Sequence, residues 1–535
     1  MRYVNTQKQQ TSTDLARVMR ELLIAIERDD AVREQQSNEP KLHISNIGHV
    51  LSATYEQLRN ASENIEDHLI FQRAILRFYK RNLVFVAQQS PRKLANELVT
   101  ELTQAGYLDN DTVPLSVVDT LDAMVSEYYD LYWKLTESGV GAASAQKWVL
   151  ELLIVRSEQL FYSSLRLLSF AHVAHTHFSS LITPDMWVHS DESLTSAEQT
   201  SALYAAVHKA LLRSDDANIR AALADLYKFN ANDLVSFIKF NEGFDALVSK
   251  KSLTKLSRII NRNGAPLRIV RAAFFEKESE VDDSLIANAT KVDSLIDQRI
   301  DDEYRKAKKR MNKGIIKSAI FLLITKALIG LLIEIPYDII VTGAIVIMPL
   351  VINLLFPPLF IAITVLTFKM PKQANKEALR EYINTMLFTQ EQPRTLSVKG
   401  VQATSGSYAF NVLYVIMFIV AFYLVINRLQ ALDFNIVQGV IFFVFLSTAS
   451  FLGYRLTLAV KELEIVTTSQ GVIALLRDFL YAPFIFVGQR ISYRFAKMNI
   501  VAQILDMVIE LPLKTILRLT RQWTTFLNEK KDELL

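Results

Sequence analysis

The chain contains no cysteine. Disulfides, cysteine-ligated zinc, iron–sulfur clusters and thiol nucleophiles are therefore excluded together. Glycine and proline are also scarce, 15 and 13 residues, a combined share of roughly 5% where about 12% is usual. So few turn formers favour long helices over many short strands. Excess charge of either sign is missing as well. With 59 basic and 56 acidic residues the net charge is +3, which speaks against a broadly basic nucleic-acid binder, so positive charge matters only locally. No apolar run opens the chain, and Asp14, Glu21 and Glu27 stand in its first 30 residues. That pattern fits neither a secretory signal nor an acid-poor transit peptide, and the N-terminal half is expected to stay in the cytoplasm.

Recognisable chemistry is equally sparse. GxxxxGK[ST], a strand-flanked GxGxxG, GxSxG and HExxH are all absent, so phosphate cradling, elbow-type hydrolysis and zincin chemistry have no motif. No cofactor is expected, and the reading is of a non-enzyme. FAHVAHTHF at 170–178 brings three histidines together. On a helix His172 and His175 share a face, as metal ligands often do, and they are weak metal candidates, with a metal-dependent enzyme as the corresponding function. No carboxylate stands at a matching spacing, and a partly exposed structural cluster is the simpler account. Lys531–Leu534 spells KDEL but Leu535 follows it, and such signals are read only at a free C-terminus.

What the chain does contain is helical periodicity followed by long apolar runs. Over residues 1–275, apolar positions recur at helical spacing, as in Leu15, Val18, Met19, Leu22 and Ile26 behind Asp14. The expectation is an all-α cytoplasmic helical domain with helices over 45–85, 91–106, 114–137, 144–182, 194–213, 216–229 and 231–260. Trp148–Ile182 is apolar on several faces and is expected to be its central buried helix. Residues 276–317 read as a charged stalk helix, in which VDDSLI at 281–286 and VDSLID at 292–297 repeat at a period of eleven. That period suits a straight or slightly right-handed helix pair, a coiled coil among the possibilities.

Apolar runs then dominate. About 20 apolar residues cross a hydrocarbon core of roughly 30 Å. Residues 318–368 form a first membrane hairpin, with Ser318–Ile335 and Ile339–Phe356 joined by Pro336-Tyr337-Asp338 as a tight turn and Pro357-Pro358 as a kink or re-entrant break. Residues 369–407 are a cytoplasmic connector. Residues 408–454 form a second hairpin, its arms Tyr408–Ile426 and Ile436–Tyr454 uncharged and separated by NRLQALDFN. Residues 455–535 read as a membrane-associated amphipathic helical region. Val472–Val487 carries Arg477, Asp478 and Pro483, so it is expected at the interface or against the bundle and not as a fifth span. Near the C-terminus, Lys514, Arg518 and Arg521 oppose an apolar face, as in a helix lying in a bilayer surface.

Loop charge sets the orientation. Eight basic residues (Arg299, Arg305, Lys306, Lys308, Lys309, Arg310, Lys313 and Lys317) face three acidic ones between 299 and 317, while the loop 427–435 holds only Arg428 and Asp433. Positive-inside places both short turns outside and both termini in the cytoplasm of a multi-pass cell-membrane protein. Inside the spans, Lys326 and Glu334 are the ionisable groups. In one straight helix they sit eight residues apart and about 80° out of phase. Glu334 is thus expected out of reach of Lys326, with Asn353 on the next span its nearer neighbour. Lys326 is expected to snorkel from a shallow helix or to serve an ion relay.

The segment IPYDIIVTGAIVIMPLVINLLFPPLF at 335–360 is similar in its proline spacing to the membrane segment of the leucine-zipper/EF-hand mitochondrial transmembrane family, which is associated with cation–proton exchange. The likeness covers 26 residues, and the DxDxDG loop that carries that family's calcium site does not occur here. Two functional classes remain. One is a membrane-anchored scaffold whose cytoplasmic domain binds a protein partner, with the bilayer as its other partner and homo-oligomerisation open. The alternative is a transporter or ion-conducting protein with a regulatory cytoplasmic domain, which needs several ionisable groups inside the membrane.

Overall fold

The computed structural model describes residues 14–36, 39–44, 56, 69–83, 85, 94–182, 196–228, 233–276, 289–366, 370–371, 373–388, 405–465, 472–498 and 523. Every regular element among them is helical; the one β contact is an isolated bridge between Lys41 and Pro114. The chain divides into two compact units, one built chiefly from Arg17–Ser180 and Asp191–Ile260, the other chiefly from Asn261–Met498.

The first unit contains α1 (Asp14–Gln36), α2 (Ile70–Asn82), α3 (Leu94–Gln104), α4 (Leu115–Glu137), α5 (Ala142–Phe161), α6 (Leu165–Leu181), α7 (Ser196–Val207), α8 (Asp216–Leu226) and α9 (Leu234–Ser249). Helix α5 is buried on two sides. Leu150, Leu153 and Ile154 join a core with α2, α3 and α4, and Trp148, Val149 and Leu152 join a second with α8 and α9. The expected single helix over 144–182 is instead two. Tyr162 adopts an extended backbone, and the Ser163 hydroxyl accepts from the Leu165 N–H at 3.3 Å, starting a new helix. Arg220 on α8 is fully buried and pins three elements. It donates to Glu151 on α5 at 2.7 Å and to Asn241 and Asp245 on α9 at 2.6 and 2.7 Å. The Trp148 indole donates to the other Asp245 oxygen at 2.8 Å.

Helix α10 (Lys251–Asn263) ends the first unit, whose boundary falls at Ile260, and α11 (Ala265–Val270) opens the second. After it, α12 (Ala289–Ile329) passes through a π turn at Gly330–Glu334 into α13 (Ile335–Thr342). From Thr290 to Val341 this is one helix of 52 residues, roughly 78 Å at 1.5 Å per residue. Stalk and first span are therefore continuous. Pro336-Tyr337-Asp338 is not a turn but helix, because a proline in the first turn of a helix lacks only an N–H that has little use there. The reversal comes at Gly343, whose φ of +72° only glycine adopts freely. Pro336 also accounts for the π turn before it. In an unbroken α-helix its ring would strike the carbonyl of Leu332; the wider turn relieves that clash, with the Ile335 N–H reaching back to the Gly330 carbonyl.

The remaining elements are α14 (Ile347–Leu366), helical through Pro357-Pro358, then α15 (Gln373–Phe388), α16 (Ser405–Gln430), α17 (Ile436–Lys461) and α18 (Val472–Met498). Among the described residues four helices are long and apolar enough to cross a membrane: Thr290–Val341, Ile347–Thr364, Val412–Gln430 and Ile436–Lys461. Their outward faces carry exposed Ile320, Ile324, Leu328, Ile340, Ile363 and Val415, a surface that suits lipid and not water. At the other end of the unit, α15 lies antiparallel to α12. Lys376, Arg380 and Asn384, four apart, meet Asp301, Asp297 and Asp293, four apart in the opposite sense, above the buried Ile296, Ile300, Leu379 and Ile383.

Candidate functional site

Polar side chains gather where apolar helices converge. Lys326, Glu334, Asp338, Asn353 and Gln438 are each at most 1% exposed. The Lys326 ammonium donates to Glu334 Oε1 and lies 5.2 Å from the Phe445 ring centre, a cation–π distance. Asn353 Nδ2 donates to the same Glu334 oxygen and to the Gln438 backbone carbonyl, both at 3.2 Å. Gln438 Nε2 donates to both Asp338 oxygens at 2.8 and 3.1 Å, and Asn435 Nδ2 adds a bond to Asp338 at 2.8 Å. The result is one connected chain, Asn435–Asp338–Gln438–Asn353–Glu334–Lys326. It starts beside the short turn before α17 and runs inward along three helices.

Local structure fixes each member. Asn435 and Gln438 form a reciprocal capping box at the start of α17, so the amide of Gln438 is oriented by the helix N-terminus it caps. Asp338 faces inward because α13 is helical there. The π turn reverses the expectation that Lys326 and Glu334 are out of reach. An i→i+5 turn advances through less angle per residue than an α turn, which cancels the roughly 80° phase difference of a regular helix and brings Glu334 round onto the Lys326 face. Lys326 is thus paired in the interior and does not snorkel. Two acceptors remain without a donor, Glu334 Oε2 and Asn353 Oδ1. Unsatisfied atoms of this kind are costly and informative in a low-dielectric interior.

Of the residues singled out in the sequence, Lys326, Glu334 and Asn353 are thus brought together. Asp338 and Gln438 were missed, the first because it was assigned to a turn, the second because it sits inside an uncharged run. The Asn435-x-x-Gln438 spacing is a readable capping signal that would have drawn attention to Gln438.

The other candidates disperse. His172 is exposed, and His175 packs its ring 5.5 Å from Tyr204. Burial pushes the His177 imidazole, and that of His208 after α7, down to about 4. Among the described residues no group of three His, Asp or Glu side chains is placed to hold a metal. On the stalk, Arg305 pairs with Asp302 and Lys306 with Glu303 at 2.9 Å, while Lys308, Lys309, Arg310, Lys313 and Lys317 are exposed. Lys514, Arg518 and Arg521 lie outside the described residues.

Two concavities accompany the cluster. A polar groove of about 670 Å³ in the first unit is lined by Arg73, Lys80, Lys147, Glu151, Asp215 and Asp216. Gln72 on its wall donates to Glu158, whose carboxyl burial pushes up to about 7 against the lowering effect of that bond. An apolar cleft of about 480 Å³ lies between α16, α17 and α18. No family model matches the chain, and no curated protein or solved structure does either.

Proposed function

We propose that this is a multi-pass membrane protein that moves protons or small cations along the buried polar chain, with the helical unit as a regulatory domain on the cytoplasmic side. The observation that carries the reading is the presence of three ionisable side chains, Lys326, Glu334 and Asp338, fully buried and hydrogen-bonded into one chain among span-length apolar helices. Ionisable groups in such a position are rare and commonly serve ion or proton pathways. A pure anchor has no use for them, since an all-apolar interface packs the same helices without desolvating charge. The spare acceptors Glu334 Oε2 and Asn353 Oδ1 offer a proton or cation its ligands. The basic stretch Arg305–Lys317 orients the stalk toward the cytoplasm.

A second reading, a membrane-anchored scaffold, draws on the long stalk helix continuous with the first span and on its ion-paired partner helix α15. Reconstitution separates the two. Lys326→Leu abolishes flux under the transport reading; under the scaffold reading it leaves localisation and the set of proteins co-purified from membranes unchanged, with no flux to lose.

A further inference from the structure

The packing of α18 carries more than the interfacial role its charges suggest. Gly488 meets α17 so closely that a Cβ there would fall onto the Ser447 carbonyl and within 2.8 Å of Phe451 Cβ. From that contact the direction of α18 can be followed. Tyr481 meets Phe360 of α14, ring centres 5.3 Å apart. Phe484 stacks on Phe422 of α16 at 5.0 Å. Val487 and Ile491 line the apolar cleft with Ile426, Gln430, Ile436 and Val440. As its numbering rises, α18 therefore advances toward the turn that joins α16 to α17, parallel to α16 and antiparallel to α17.

Gly488 opposite Ser447 sets the register. Antiparallel pairing puts Val472 level with Leu463, just past the end of α17, and Met498 level with Val437, at its start. The 27 residues of α18 extend roughly 40 Å, more than the 30 Å of a hydrocarbon core. Whatever slab α17 crosses, α18 crosses too. We infer that α18 is a fifth membrane crossing and that the chain leaves it on the side of the two short turns, opposite the stalk.

At this register Arg477 and Asp478 fall toward one end of α18 and Arg494 toward the other. Arg477 and Asp478 lie level with Leu458 and Thr457, beside Lys461 of α17. Arg494 is level with Ile441, and Arg490, level with Phe445, is exposed with its guanidinium 5.2 Å from the Phe486 ring centre. Met498 follows eight residues on, roughly 12 Å of helix, and the arginine stem covers part of that distance toward the headgroups. Arg494 and Lys497 then put positive charge toward the far end, against the loop-charge rule. The inference is independent of whether the polar chain conducts, and it replaces the expectation that Val472–Val487 lies at the interface or against the bundle.

The absence of native cysteine makes the test direct. Single cysteines are placed in the full chain at Leu432 in the turn, at Lys461 and at Met498, and each is exposed to a membrane-impermeant maleimide in sealed right-side-out and inside-out vesicles. A reporter fused after Met498 supplies an assignment that does not depend on thiol reactivity. Met498→Cys should label from the face that labels Leu432→Cys and opposite to Lys461→Cys, with the reporter on the Leu432 side. A reporter and a thiol at 498 that both share the Lys461 side would overturn the fifth crossing.

Discussion

Replacing Lys326 by methionine removes the cation but leaves the Glu334 carboxylate in a site where its Oε1 keeps only the Asn353 amide and its Oε2 has no donor. Breaking a buried pair from one side costs about 3–5 kcal/mol. At about 2–4 °C per kcal/mol for units of this size, the melting temperature falls by roughly 6–20 °C. Glu334→Leu alone strands the ammonium and costs a similar amount. The double variant Lys326→Met/Glu334→Leu removes both charges, while Asn353 retains the Gln438 carbonyl as its acceptor. It should return to within about 1–2 kcal/mol of the parent, because apolar replacement of a whole buried pair is close to neutral. The assay is thermal unfolding of the detergent-purified full chain, followed by circular dichroism, for all four members of the cycle. Single variants that each cost less than about 1 kcal/mol and add without coupling would mean that Lys326 reaches the headgroups and the internal pair does not exist.

Two other outcomes follow from the packing and burial of particular groups. In the helical unit, Glu158 has a folded value of about 7 against 4.5, so its contribution to stability is complete below pH 4.5 and is lost as pH rises through 7; His177, lowered to about 4 from 6.5, contributes fully above pH 6.5 and loses it as pH falls through 4. Melting temperature measured against pH should therefore lose its decline between pH 4.5 and 7 in Glu158→Gln and part of its acid-side fall in His177→Phe; unchanged profiles would show that neither group is buried as described. Gly488→Val forces a side chain against the Ser447 carbonyl and should cost about 1–3 kcal/mol by overpacking, read as a lower melting temperature in detergent, whereas an unshifted melt would separate α18 from α17.

The helical class and the positions of the long apolar segments were legible because periodicity and run length are direct consequences of burial. Turn placement was not. Pro336-Tyr337-Asp338 has the composition of a turn, yet a proline early in a helix is tolerated, and the reversal waits for Gly343, where a positive φ is required. That shift of a few residues moved Asp338 from a loop into the interior. The Lys326–Glu334 pair was illegible for a related reason. Phase arithmetic assumes 3.6 residues per turn, and one π turn, set by the same proline, suffices to void it. For α18, Arg477, Asp478 and Pro483 argued against a span, and the register of Gly488 against Ser447 is visible only in the structure.

The central claim, that Lys326 and Glu334 belong to a conducting polar chain, meets its most direct test in sealed proteoliposomes with an imposed proton or potassium gradient and an internal dye for each ion. The full chain should dissipate one of these gradients faster than protein-free vesicles. Lys326→Leu and Glu334→Gln, inserted to equal density and still helical, should each lower that rate at least tenfold. Equal rates for the parent chain, both variants and empty vesicles would contradict the claim and leave the buried polar chain as a clamp between helices.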